Sequence, residues 1–292
     1  PNTYRALPET KLEYRTDLTE YLDLRVNSEL AYFDNSLTEQ PKALRFHLAP
    51  TLSIPYQRQW GELLAEASVL NTYYKQEDIE NTELEEEVTR TLGQFRLYGN
   101  VIFERQQNWQ GQNSTITLEP QFQYLYTSFE DQSTIGLYDS TLLLNDVDGL
   151  FRGQEFTGLD RISDNNQVTL GVTSRILDAA SREQLVVSLG QIFYLSDNKV
   201  AAAAKEQDSS AIAAELDWRI NERWLAHTDI QIASESDKVE RSSLSLEYRR
   251  DENSLIQLSH RYVRNLSGEQ IDQIGLSASW PISDSWHWVG RW

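Results

Sequence analysis

KALRFHLAPTLSI, residues 42–54, reads with a period of two. Leu44, Phe46, Leu48, Pro50, Leu52 and Ile54 take one face, and Arg45, His47, Thr51 and Ser53 take the other. An amphipathic helix would repeat every 3.6 residues or so; alternation over this many positions describes a strand with unlike faces. NSTITLEPQFQYLYT (113–127) repeats the pattern, with Ile116, Leu118, Phe122, Tyr124 and Tyr126 opposite Thr115, Thr117, Glu119, Gln121 and Gln123. AIAAELDWRI (211–220) sets Ile212, Leu216, Trp218 and Ile220 against Glu215, Asp217 and Arg219. Reading outward predicts about fourteen strands, at 9–16, 21–33, 42–54, 60–74, 90–104, 114–126, 166–177, 184–195, 210–220, 222–233, 241–250, 254–264, 270–280 and 284–292. Globular strands average about five or six residues, whereas a strand tilted across a bilayer needs about 9–11. The predicted strands belong to the second class.

The connections carry a second regularity. Short links at 17–20, 55–59, 178–183, 221, 251–253 and 281–283 alternate with longer polar links at 34–41, 75–89, 127–165, 196–209, 234–240 and 265–269. The link at 105–113 falls in a short-link place but is longer than its class. Short turns on one side and long loops on the other describe an antiparallel transmembrane β-barrel of the outer-membrane type, with the short turns periplasmic. On this reading 1–292 is a barrel domain with a long extracellular loop at 127–165. Trp218, Trp224, Ile230, Leu244, Leu246, Ile256, Leu258, Leu276 and Trp280 are expected to face lipid. The opposite phase, with Glu215, Asp217, Arg219, His227, Asp229, Arg241, Glu247, Arg249 and Arg261, is expected to line a wet lumen. So many charges could not fill a sandwich core, because buried unpaired charge is too costly. His260 falls on the lipid phase, so either a bulge shifts the register or it lies near the headgroups. Pro50 and Pro120 remove ladder donors, and each predicts a bulge or a local break.

Composition narrows the classes. There are 45 Asp+Glu against 26 Lys+Arg, a net charge of −19, which argues against binding a nucleic-acid backbone. The 14 Tyr, 9 Phe and 8 Trp argue against disorder. No apolar run approaches the roughly 20 residues of a spanning helix. With no Met and no leader-like opening, the chain is expected to be a mature or partial piece of something longer. There is no Cys, and the four His (His47, His227, His260, His287) lie far apart and in no hydrolase or metal motif. No catalytic residue, metal or cofactor is therefore expected.

The stretch YDSTLLLNDVDGLFRGQEFTGLDRISDNNQVTLGVTSRILD, 138–178, mixes Asp139, Asp146 and Asp148 with Leu142, Leu143, Leu144, Leu150 and Phe151, and carries Gly149, Gly153 and Gly158. A loop free in solvent would not need so many large apolar residues. This one is expected to fold back into the barrel mouth, with Arg161 and Asp164 available to pin its base. Leu150-Phe151-Arg152, Gly158-Leu159-Asp160-Arg161-Ile162, Asn166-Gln167-Val168-Thr169 and Gly171-Val172-Thr173-Ser174-Arg175 resemble the signature segment of the LptD family. These are the lipopolysaccharide-assembly, or organic-solvent-tolerance, proteins of the outer membrane. Tyr4-Arg5-Ala6-Leu7-Pro8 and Gly190-Gln191-Ile192-Phe193-Tyr194 are similar to the same family.

The resemblance implies part of a larger barrel of roughly 26 strands. The periplasmic jelly-roll domain, the terminal strands and the family's cysteines are not in this sequence. It also implies an outer-membrane location and a role in placing lipopolysaccharide in the outer leaflet. The implied partners are an LptE-like lipoprotein plug in the lumen, lipopolysaccharide itself, the periplasmic lipopolysaccharide-bridge proteins and the barrel-assembly machinery. Phe151, Arg152, Phe156, Asp160, Arg161 and Asp164 thereby become candidate plug or loop contacts. A passive porin-like channel and a purely structural barrel fragment remain the alternatives. No gate residue carries over.

Overall fold

Alternation of this kind makes each strand two-faced, and such strands can only pair edge to edge into one sheet. The computed structural model shows this arrangement, and describes residues 4–35, 40–80, 82–143, 146–200, 208–251, 253–266, 269–283 and 285–292. Leu144, one of the loop's apolar residues, lies outside them. The strands are β1 (Arg5–Thr19), β2 (Leu22–Asp34), β3 (Lys42–Arg58), β4 (Gly61–Glu77), β5 (Glu87–Val101), β6 (Phe103–Trp109), β7 (Gln112–Thr127) and β8 (Asn165–Leu177). They continue as β9 (Glu183–Tyr194), β10 (Ile212–Arg219), β11 (Trp224–Ile232), β12 (Val239–Asp251), β13 (Ser254–Leu266), β14 (Glu269–Ser283) and β15 (Trp286–Arg291). Each pairs antiparallel with its sequence neighbour, except that β5 and β6 both pair with β7. The fifteen segments therefore fill fourteen places in a single meander. Among the described residues no helix is long and apolar enough to cross a membrane, which leaves crossing by strands untouched.

Several expectations about individual positions change. The link expected at 105–113 is mostly strand, and the turn is only Gln110-Gly111, both with positive φ (51° and 82°). That is the backbone a two-residue hairpin demands. The short-link class therefore has no exception at this place. Pro50 gives the local break and not the bulge: it pairs with Val26 in unbroken register, and the β3–β4 ladder skips Ala49 and Pro50 before resuming in the same register. Pro120 lies opposite the break at Ile102 that separates β5 from β6, where its missing N–H leaves that ladder a gap. The Ile102 N–H turns instead to the Trp60 carbonyl at 2.7 Å. No bulge rescues His260 either. It stays on the apolar phase, opposite Leu244 and Ile274, and bonds Asp272 at 2.8 Å.

The sheet is inverted relative to a soluble protein. Along β3, Arg45, His47 and Thr51 are buried while Phe46, Leu52 and Ile54 are exposed. On β4 and β5, Thr72, Gln76 and Arg90 are buried, whereas Val69 and Phe95 on the other phase are exposed. The apolar face of β3 runs from Leu44 to Tyr56, roughly 40 Å of strand, which a tilt near 45° reduces to ~28 Å, about the height of a barrel's lipid band. A continuous apolar exterior over a polar interior has no stable place in water. Among the described residues β1 pairs only with β2, and β15 only with β14.

Candidate functional site

What fills the polar face is the chain's own longest connection, 128–164, whose described residues, 128–143 and 146–164, lie against the inner sides of strands from β2 to β10. Only a sheet wrapped around the loop lets one short segment reach so many strands. The register builds the receiving wall. Arg45 stands opposite Ala31 and Tyr74, and the next rung aligns Glu29, His47, Thr72 and Arg90.

Asp160 is the centre of the contact and is fully buried. Its Oδ1 accepts from Arg45 Nη1 at 2.8 Å and from the Tyr74 hydroxyl at 3.2 Å. Its Oδ2 accepts from the backbone N–H groups of Tyr138 and Asp139, both at 2.7 Å. Four donors on one carboxylate satisfy its lone pairs, which is the condition for burying a charge. Arg45, itself only 1% exposed, also donates to Asp139 Oδ1 at 2.9 Å and to Glu29 Oε1 from Nε at 2.9 Å, and lies 4.6 Å over the Phe33 ring. One guanidinium thus faces three carboxylates. Burial, then the Asp139 charge, pushes the Asp160 carboxyl above the usual carboxylate range. Burial also acts upward on Asp139, but the hydrogen bonds and charge of Arg45 outweigh it and hold that carboxyl below its ordinary value.

Two further wall residues read the loop's backbone. Buried Arg90 donates to the carbonyls of Leu159 (2.6 Å) and Asp160 (3.1 Å) and to Gln132 Oε1 (2.8 Å). Gln76 uses all four of its hydrogen-bonding sites: it donates to the carbonyls of Glu85 and Thr134, and accepts from the Gly136 N–H and the Tyr138 hydroxyl. Tyr138 completes this end by stacking on Phe33, ring centres 5.5 Å apart. At the other end a short 3-10 turn, Asp148–Phe151, seats on a glycine floor. Gly171 and Gly190 are cross-strand partners. A side chain on either would come within 2.8 Å of Phe151 or Leu150. Gly158, at φ +63°, lies so close to Asp139 that a Cβ would fall 2.0 Å from its Oδ1. Between loop and wall remains a cavity of about 760 Å³, lined among others by Arg25, His47, Glu66, Arg96, Phe156 and Arg161.

The residues singled out from sequence separate in space. Asp160 and Phe151 turn into the wall, Phe151 meeting Tyr98 edge-on at 6.0 Å. Phe156 and Arg161 line the cavity, with Arg161 also donating to the Ile135 carbonyl at 2.8 Å. Arg152 pairs with Asp146 at 3.0 Å within the loop. Asp164 turns away from the wall charges and accepts from the N–H groups of Lys199 and Val200. Glu215, Asp217, Arg219, His227, Asp229, Arg241, Glu247, Arg249 and Arg261 all fall on the same phase of β10–β13 as Ala213, which packs beneath Leu150. Glu247 pairs with Arg249 at 2.6 Å, and Asp217 meets His227 at 2.8 Å. Among the described residues Arg219, Arg241 and Arg261 make no ion pair.

Arg45, Arg90, Tyr74 and Gln76 were not singled out from sequence as contacts of the loop. Their signal was available in the polar phase of 42–54 and of its neighbours, but nothing in linear spacing joins Arg45 to a carboxylate 115 residues away.

The comparisons agree on one family. A family profile described as "LPS transport system D" (LptD) matches residues 1–286. The chain is 64% identical over 291 residues to the LPS-assembly protein LptD of Pseudoalteromonas atlantica, covering all of this chain and 38% of that protein. It is 40% identical over 301 residues to the protein of the same name from Shewanella denitrificans, covering 99% of this chain and 39% of the relative. To that of Escherichia coli K12 it is 38% identical over 318 residues, covering 100% of this chain and 41% of the relative. The chain thus spans about two fifths of the length of these relatives.

Proposed function

The chain belongs to the LPS transport system D family, and from that premise we propose that it forms part of the wall of an outer-membrane barrel that assembles lipopolysaccharide at the cell surface. One observation supports this most: an apolar exterior of bilayer height around a polar interior occupied by the chain's own loop. In this reading the strands cross the outer membrane, and the turns after β1, β3, β6, β8, β10, β12 and β14 face the periplasm. The 128–164 loop enters the lumen from outside. In the alternative, a passive porin-like channel, the loop that occupies the interior from β2 to β10 would serve only as a constriction.

The interior left uncovered offers a place for a second component. The cavity beside Phe156 and Arg161, and the β10–β13 wall with Arg219, Arg241 and Arg261, suit a polar plug such as the LptE-like lipoprotein. Photo-crosslinkers at Phe156, Arg161 and Arg241 of the full-length protein test this. Capture of the lipoprotein at one or more positions is expected, together with no capture from outward Leu244. A further arm replaces Arg45 by Met and follows lipopolysaccharide at the cell surface. Less surface lipopolysaccharide at equal barrel abundance supports the assembly role; no change in either arm would count against it.

A further inference from the structure

Asp217 and His227 are cross-strand partners on β10 and β11, and Glu215 and Asp229 form the neighbouring pair. His227 Nδ1 lies 2.8 Å from Asp217 Oδ1 and 3.9 Å from Glu215 Oε1, and its Nε2 lies 3.9 Å from Asp229 Oδ2. Among the described residues none of the three carboxylates has a Lys or Arg in ion-pair range. Both nitrogens of one imidazole therefore face anionic oxygens, while a neutral imidazole carries only one N–H. The 2.8 Å contact with Asp217 is a hydrogen bond, whereas Glu215 and Asp229, at 3.9 Å, stand beyond hydrogen-bond range and leave space around the ring nitrogens.

We propose that Glu215, Asp217 and His227 bind a divalent transition metal of the Zn²⁺ class. One ligand atom from each lies within 4.8 Å of the other two. Zn²⁺ bonds of about 2.0–2.2 Å space tetrahedral ligands roughly 3.3–3.6 Å apart, so side-chain adjustments of about an ångström close the set. An imidazole with two carboxylates suits Zn²⁺, whereas Ca²⁺ takes six or more oxygens, roughly, and no nitrogen. Metal on Nδ1 leaves Nε2–H facing Asp229, whose Oδ2, 3.9 Å away, would have to approach by about an ångström to complete the carboxylate–histidine–metal relay that fixes a ligating imidazole. A recess of about 370 Å³ lined by Asp217, His227, Arg219 and Glu247 gives the ion a path and leaves room for a water ligand.

The test uses the full-length protein with its partner in detergent, stripped with a chelator. It is titrated with Zn²⁺ by calorimetry and with Co²⁺ as an absorbing substitute. One equivalent is expected in the wild type that is absent from His227→Gln and from Asp217→Asn, with heat-modifiable migration showing that each variant keeps its folded barrel. Asp229→Asn should bind about 10–100-fold more weakly, as loss of such a partner does. Equal uptake by wild type and the ligand variants would overturn the site, as would full competition by equimolar Ca²⁺. So would no uptake at all.

Discussion

Asp160 shows how much of this interior hangs on single side chains. Arg45→Met leaves Asp160 buried without its cation, while Glu29 keeps Lys11 at 3.5 Å, and breaking a buried pair in this way costs about 3–5 kcal/mol. The expected outcome is a loop that undocks while the sheet persists. Hydrogen exchange at the Tyr138 and Asp139 amides should rise by orders of magnitude and that of β12–β13 amides should not. Gly158→Ala is expected to do the same, because φ +63° and the 2.0 Å approach to Asp139 leave no room for a methyl group. Gly153→Ala, whose nearest neighbour would be 3.9 Å away, is the matched control and should leave loop exchange unchanged.

At the scale of the element, the loop is a body held by carboxylates whose affinities for protons move in opposite directions. The Asp139 carboxyl is held below its ordinary value, so its contribution to docking is full above about pH 4 and is lost as pH falls through the lowered value. Asp160 is pushed up, so its contribution is full below that pH and declines as pH rises through the raised value. Docking should therefore be tightest near about pH 4 and weaken on both sides. Amide exchange of residues 136–140, corrected for its intrinsic pH dependence, reads this directly; a monotonic profile would contradict it. Much of the element scale was legible in the residues. Alternation in 42–54 located β3, and the link parity ordered the meander. The hairpin at Gln110-Gly111 was not legible, because FERQQNW (103–109) lacks a clean alternation and its positive-φ turn begins with Gln rather than Asn or Asp. The Asp217–His227 pairing was missed for a related reason. It depends on the turn being residues 220–223 rather than residue 221 alone, and register follows turn length. Arg45 and Asp160 could each be seen as polar, but only the wrapped sheet brings them together.

The whole molecule is a sheet with its hydrophobic side outward and its polar side turned onto the loop. Among the described residues its outer strands, β1 and β15, are each paired on one side only, and hydrocarbon does not tolerate an open edge, so in the membrane each of them requires a pairing partner. The most direct measurement is site-directed spin labelling of the full-length protein in a lipid bilayer. Labels are placed singly at Leu216, Trp218 and Ile230 and, on the opposite phase, at Asp217 and Asp229. Collisions with oxygen should dominate at the first three, and collisions with a water-soluble nickel chelate at the other two. The reverse pattern, or no alternation between neighbouring positions, would contradict the account.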